Sequence, residues 1–223
     1  MRLPIVGCLM DGRCPQETSL DAIVEAMKSS KKIKELCDRR RIMLSQGLKD
    51  QANKIKKKRI PAFCPGAFLF DGKGRKNVVG LTNLCFLEID HIASEHILRI
   101  TALLKEDCHV LLYYRSISGD GLHFIVKYNF DNIQTPSYNT MGINRMNHTY
   151  GVVFNTLRRM YQQKLGVIID PQGANMERLS LLSFDPDLFY NPKATPFKLI
   201  YTQKPIKRKP KRFHFEMLNE EIQ

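Results

Sequence analysis

Two apolar runs, Val110 to Tyr114 and Phe124 to Tyr128, flank the short stretch Ser118-Gly119-Asp120-Gly121. β-Branched and aromatic residues favour strands, and a link with two glycines folds one strand back antiparallel on the other. This hairpin limits the fold more than any other feature. Upstream lies a longer strand region, Val78 to Asp90. Between them Ser94 to Lys105 has helical spacing, with Ile97, Ile100, Leu103 and Leu104 inward. Downstream the spacing predicts a helix over 146–165, then strands at Val167–Asp170, Arg178–Phe184 and Phe197–Tyr201. A strand-helix-strand-strand-helix-strand order predicts the α+β class: a mixed or antiparallel sheet with helices packed on it.

Before Pro61 the pattern is helical. Ser19 is placed to cap a helix carrying Leu20, Ile23, Val24 and Met27, and further helices are expected over 31–44 and 46–58. Residues 1–17, with glycine, proline and two cysteines, read as a lead-in, and residues 129–145 as a polar excursion loop. The expected organisation is an N-terminal helical extension (1–60), a catalytic core (61–203) and a basic tail or linker (204–223).

The net charge of +13 points to an anionic partner, with nucleic acid foremost. Lys56, Lys57, Lys58 and Arg59 close the third helical stretch and are the candidate nucleic-acid contacts; a second basic run spans Lys204 to Arg212. No apolar run reaches the roughly 20 residues of a membrane span, so no membrane partner is expected. Met1 to Cys8 lacks a leader-like apolar segment, and six scattered cysteines read as reduced thiols, so a cytoplasmic location is expected. Cys8 and Cys14 have no well-spaced partners to complete a zinc site.

The chemistry concentrates at strand ends. In Phe86-Leu87-Glu88-Ile89-Asp90 the two acids are two residues apart, so their side chains share a face about 7 Å apart along the strand. Adjacent carboxylates repel unless they share protons or a cation. A third acid, Asp170, ends the run Val167-Ile168-Ile169. Three carboxylates at neighbouring strand ends supply the oxygen ligands that two Mg²⁺ or Mn²⁺ ions need to orient a nucleoside triphosphate. His123, behind the glycine bend, would donate to a phosphate oxygen, and Arg178 could clamp a second phosphate with two parallel hydrogen bonds. His91 follows the acidic pair and reads as incidental to it. Asp185 and Asp187 read as turn-shaping, and Tyr113, Tyr114 and Tyr128 as core or sheet-face residues.

Motif by motif the chain resembles the archaeo-eukaryotic primase superfamily, in its VirE N-terminal-domain-like primase-polymerase branch. The resemblance rests on Glu88-Ile89-Asp90, Gly121-Leu122-His123 and Ile169-Asp170, which occur in the family's order. It is extended by Lys58-Arg59-Ile60-Pro61-Ala62, Ser118-Gly119-Asp120-Gly121 and the stretch Leu182 to Pro192, and covers roughly residues 54 to 197. It implies a primase-polymerase core with an RRM-like sheet and metal-dependent nucleotidyl transfer on a single-stranded DNA or RNA template. In bacterial mobile elements such a protein would work beside a helicase or other replication protein. It further implies Glu88, Asp90 and Asp170 as catalytic metal ligands and His123 as a nucleotide contact; Ser118 and Arg178 are the other candidate nucleotide contacts. The acidic motif is Glu-x-Asp, where Asp-x-Asp or Asp-x-Glu is usual, and the extra methylene of Glu88 alters metal geometry. Two other functions fit the same residues: an inactive nucleic-acid-binding module of the same fold, and a metal-dependent nuclease.

Overall fold

The computed structural model describes residues 1–130 and 142–199. Eleven strands and five α-helices lie among them. The hairpin expected from the glycine bend forms the centre. β7 (Val110–Arg115) and β8 (Leu122–Phe130) pair antiparallel, with Tyr114 opposite His123 and Arg115 opposite Leu122. On its other side β8 pairs antiparallel with β6 (Leu84–Ile89), which sets Glu88 opposite His123. Thus β6, β8 and β7 lie side by side. β10 (Phe189–Tyr190) extends the sheet beyond β7, and β11 (Phe197–Leu199) runs parallel to the far end of β8.

α4 (Ser94–Lys105) forms over the expected residues, with Ile97, Ile100 and Leu104 buried. α5 (Ile143–Leu165) begins three residues before its expected start, and Gly166 ends it in the left-handed conformation. Both helices share a core with Cys85, Leu87, Phe124 and Val126, one face of the central sheet. The opposite face presents Phe86, Leu112, Tyr114 and Ile125 to α1 (Leu20–Ser29), α2 (Lys31–Ser45) and α3 (Lys49–Lys58). Ser19 caps α1 as expected, its Oγ accepting from the Ala22 amide at 3.1 Å.

Four local expectations are corrected. Residues 1–17 are not a mere lead-in. They contain β1 (Arg2–Val6) and the start of β2 (Gln16–Ser19), which pair antiparallel. β1 also pairs with β3 (Ala62–Phe63), and β3 with β9 (Ser180–Leu181), so a second sheet links the N-terminal residues to the late part of the chain. The strand region Val78 to Asp90 is broken at Thr82–Asn83, where Asn83 takes a positive φ of 64°. Its first part, β5 (Val78–Leu81), pairs instead with β4 (Ala67–Leu69). Val167–Asp170 forms no strand; one backbone bond, from the Asp170 amide to the Glu88 carbonyl at 2.9 Å, holds it beside β6. Arg178–Phe184 contributes only the two-residue β9. Most of the excursion loop, the end of the last expected strand and the basic tail from Lys204 lie outside the described residues.

Among the described residues no helix is long and apolar enough to cross a membrane. All six cysteines are free, and Cys37, Cys64 and Cys85 are buried.

Candidate functional site

The two central sheet pairings bring Glu88, His123 and Tyr114 into one row across β6, β8 and β7. Glu88 is only 8% exposed, as is His123. Burial raises the Glu88 carboxyl above its ordinary range; Arg178 opposes the rise, while Asp170 and Asp90 add to it. Arg178 Nε pairs with Glu88 Oε2, and Arg178 Nη2 lies 3.2 Å from Asp170 Oδ2. The same guanidinium donates through Nη1 to Gln172 Oε1 at 3.0 Å. One arginine therefore bridges two acids delivered by segments far apart in the chain.

Asp170 is fixed from both ends. Its amide bonds to the Glu88 carbonyl, and its Oδ1 accepts from the Gln172 amide at 2.9 Å, capping the short 3-10 helix Pro171–Ala174. Asp90, one residue past β6, is exposed. It acts on Glu88 and Lys56 through charge, with no direct contact to the bridged pair. Glu88, Asp170, His123 and Arg178 thus come together, and Asp90 stands at the rim.

His123 is held edge-on between two rings, Phe86 at 5.4 Å and Tyr114 at 5.3 Å between centroids. Its Nε2 lies 3.4 Å from Glu88 Oε1. Its Nδ1 lies 3.4 Å from the Ser180 hydroxyl, which bonds in turn to the Tyr114 hydroxyl. Burial first, then the cations Arg178 and Lys56, hold the imidazole down at about 3, so it is neutral at pH 7.

The glycine bend works by close approach. Gly119 has a φ of 88°, a left-handed conformation that favours glycine. A Cβ on Gly121 would lie 2.8 Å from the Ile89 carbonyl oxygen and 3.1 Å from Ser116 Oγ. Any side chain there would push the loop away from the end of β6. Ser118 does not reach His123's neighbours; its hydroxyl accepts from Arg40 Nη1 at 3.0 Å. Arg41 Nε donates to the Ile117 carbonyl at 3.3 Å, so α2 clamps the bend. His91, at a positive φ of 52°, turns outward to Asp120 at 2.8 Å. Asp185 proves to be a turn residue, its carboxylate accepting from the amides of Arg115 and Asp187.

The basic run divides. Lys57, Lys58 and Arg59 are exposed, and Lys58 and Arg59 join Lys32, Glu35, Leu36 and Arg39 around a surface groove of about 540 Å³. Lys56 is half-buried, and its ammonium is lowered by burial and by Arg40, with Glu88 and Asp90 pulling the other way. Lys56 thus lies in the field of Arg40, Glu88, Arg178 and Asp90 and does not line the groove.

The three acids offer only hard oxygen donors, which suits Mg²⁺ or Mn²⁺ in kind. Arg178 now takes the charge of Glu88 and Asp170, so an ion would have to take over those oxygens from the guanidinium. Among the described residues, three possible ligand side chains meet within 4.8 Å only at Asp107, Cys108 and His109. Two of these are engaged elsewhere. The Asp107 carboxylate holds Lys164 at 2.7 Å and Tyr161 at 3.1 Å, and His109 Nδ1 faces the Thr195 carbonyl.

Sequence reasoning missed Tyr114, Ser180, Gln172 and Arg40 as partners of the site. The hairpin register contained a signal for Tyr114, since a strand residue opposite His123 must share its face. Nothing local marks Ser180, which arrives through β9.

A model of the family described as BT4734-like, N-terminal domain, matches residues 54–190. That is more than half of the chain, which therefore belongs to this family. The match takes in Glu88, Asp90, His123, Asp170, Arg178 and the basic run 56–59, and leaves α1 and α2 outside. No curated protein and no solved structure matches the chain.

Proposed function

We propose that this member of the BT4734-like N-terminal-domain family is a metal-dependent, primase-polymerase-like nucleotidyltransferase acting on a single-stranded template. One observation carries the reading. Glu88, Asp170, Arg178 and His123, drawn from four segments, converge at the mouth of the central sheet, with Asp90 at the rim. Buried ionisable groups of both signs are costly to a core and concentrate where chemistry is done.

In this reading Glu88, Asp90 and Asp170 would hold two Mg²⁺ or Mn²⁺ ions, which would supply charge stabilisation for in-line attack on a triphosphate. The protein's own groups do the rest. Arg178, whose fork already spans two carboxylates, turns to a phosphate once the acids are engaged. His123 is neutral at pH 7, so it can donate one N–H to a phosphate oxygen without adding a fixed charge. Lys56 supplies positive charge at the same mouth. Lys58 and Arg59, with the exposed Lys57 beside them, track the template backbone along the groove between α2 and α3. A helicase or another replication protein of a bacterial mobile element is the expected partner.

A second reading is a non-catalytic nucleic-acid-binding module. The bridge from Glu88 through Arg178 to Asp170 favours it, because it neutralises the acids without an ion. Incubation of the protein with primed and unprimed single-stranded DNA, labelled nucleotides and Mn²⁺ separates the two. Extension products support the transferase; binding of DNA without nucleotide binding or extension supports the module.

A further inference from the structure

Among the cations of α2, Arg40 alone is buried: it is 6% exposed, while Arg39 beside it stands in solvent. A guanidinium carries a fixed charge and five N–H donors. Taking it out of water is costly unless an anion and hydrogen bonds offset the loss. Among the described residues Arg40 has neither in full. Its one hydrogen bond goes to a neutral group, the Ser118 hydroxyl, at 3.0 Å, and its Nε is buried with no partner. Burial lowers the guanidinium, and Asp120, the acid that opposes this, is itself bonded to His91 at 2.8 Å. Holding the bend needs no charge, since Arg41 next to it already reaches the Ile117 carbonyl.

A second cation stands nearby. α3 packs on α2 and brings in Lys56, which is half-buried. Burial and then Arg40 lower its ammonium, so the two like charges are close enough to repel. Ser118 adds a donor to the pair, because its oxygen accepts from Arg40 and its own hydrogen stays free. These groups adjoin the acids. The bend that starts at Ser118 lies against the end of β6, with the Ile92 amide donating to the Asp120 carbonyl at 2.7 Å, and Lys56 also feels Glu88 and Asp90. Donors and positive charge without a matching acid define a place for an anion.

Enclosure selects the anion. A nucleic-acid backbone runs along open surface, which Lys58 and Arg59 offer, whereas only the end of a phosphate chain can enter a place as covered as that of Arg40. We propose that Arg40, Lys56 and Ser118 form a subsite for the terminal phosphate of the nucleoside triphosphate, built by α2 and α3 over the glycine bend. The proposal rests on the nucleotidyltransferase reading, which supplies the ligand. Arg40 lies outside residues 54–190, so the family match does not extend to the cation that defines the subsite.

The full chain is titrated by calorimetry with ATP and with AMP, each in excess Mn²⁺. The parent is expected to bind ATP more tightly than AMP. Arg40→Gln should lower ATP affinity by about tenfold to a hundredfold, as loss of a hydrogen bond to a charged group implies, and leave AMP affinity as in the parent. Lys56→Gln should act in the same direction with a smaller loss. Inorganic triphosphate, which has no base or sugar, should displace ATP from the parent. A parent with no preference for ATP over AMP overturns the proposal. So does a folded Arg40→Gln variant that keeps the parent's ATP affinity, or one that loses AMP as much as ATP, which is the mark of a merely structural role. If Arg40→Gln does not fold, Lys56→Gln decides by the same comparison. An oligonucleotide with a terminal phosphate that displaces ATP, where its unphosphorylated twin does not, would move the subsite to a DNA end and overturn the nucleotide assignment. A parent that prefers ATP, loses the preference in Arg40→Gln and yet extends no primer overturns the transferase reading alone.

Discussion

The two faces of β6 are built from alternate residues and could hardly differ more. Cys85, Leu87 and Ile89 point to α5 and join an apolar core. Leu84 and Phe86 point the other way into the second core, and Glu88 shares their side of the strand. On β8 the same alternation sets Phe124 and Val126 against His123 and Ile125. One face is core along its whole length. The other is core until its last residues, where Glu88 and His123 bring in a cluster of ionisable groups. A single pleat therefore separates stability from chemistry. The rigid apolar face holds in place charges that the fold would not otherwise keep buried.

The largest expected effect lies on the polar face. Glu88→Gln with Asp90→Asn should lower nucleotide transfer by about a thousandfold or more, since metal charge stabilisation contributes several kcal/mol. Circular dichroism should show the fold retained. A double variant that extends primers like the parent would break the comparison at its root.

The opposite face should respond in the opposite way. Phe124→Ala removes a fully buried ring and should cost about 3–5 kcal/mol in urea denaturation. At concentrations of urea where the variant remains folded, its affinity for nucleotide should match the parent's. A large loss of affinity would mean that the two faces are not separable.

A third expectation concerns acid. The unfolded His123 takes a proton near 6.5, and the folded one only near 3. Between those values the unfolded chain binds more protons, so this group's contribution to stability falls as pH drops from 6.5 toward 3. Glu88 works in the other direction, because its raised carboxyl favours the folded state on acidification. His123→Leu should therefore flatten the loss of stability across that window. An unchanged pH profile would place His123 in contact with solvent protons.

The smallest effect sharpens the division within the basic run. Single-strand affinity should fall steeply with salt. Replacing Lys57, Lys58 and Arg59 by alanine should reduce the logarithmic slope by about 2, at about 0.7 for each phosphate no longer neutralised. Lys56→Ala should barely alter the slope but weaken nucleotide binding. If Lys56 alters the slope as much as its neighbours do, it belongs to the groove after all.

The sequence made the local elements readable. α4 forms over its expected residues because a full apolar stripe defines it, and α1 starts where Ser19 caps it. The β7–β8 hairpin forms because turn chemistry and strand pattern agree. What escaped is non-local. β1 lies in a stretch containing Pro4, Gly7 and Cys8, and it becomes a strand between two partners, β2 on one side and the distant Ala62 and Phe63 on the other. The break at Asn83 allows β5 to join β4 instead of lengthening β6. Val167 to Asp170 has the composition of a buried strand, yet Ile168 is 81% exposed and a single backbone bond joins the segment to β6. In the site, Glu88, His123, Asp170 and Arg178 could be named from residue types at strand ends. That Arg178 would bridge the two acids, and that Ser180 would stand behind His123, depends on chain geometry that no local pattern encodes.

Arg178 meets Glu88 across 90 residues, and Ser180 meets His123 across 57. The hairpin and its neighbour β6 can assemble once residue 130 is available, but the guanidinium and the hydroxyl that complete the constellation come much later. Contacts of such long sequence separation are slow to form, because a long loop must close before they are rewarded. During synthesis on a ribosome, the nascent chain therefore holds Glu88 and His123 without the groups that neutralise and orient them. The β3–β9 pairing, made by the same late segment, is the clasp that ends this interval.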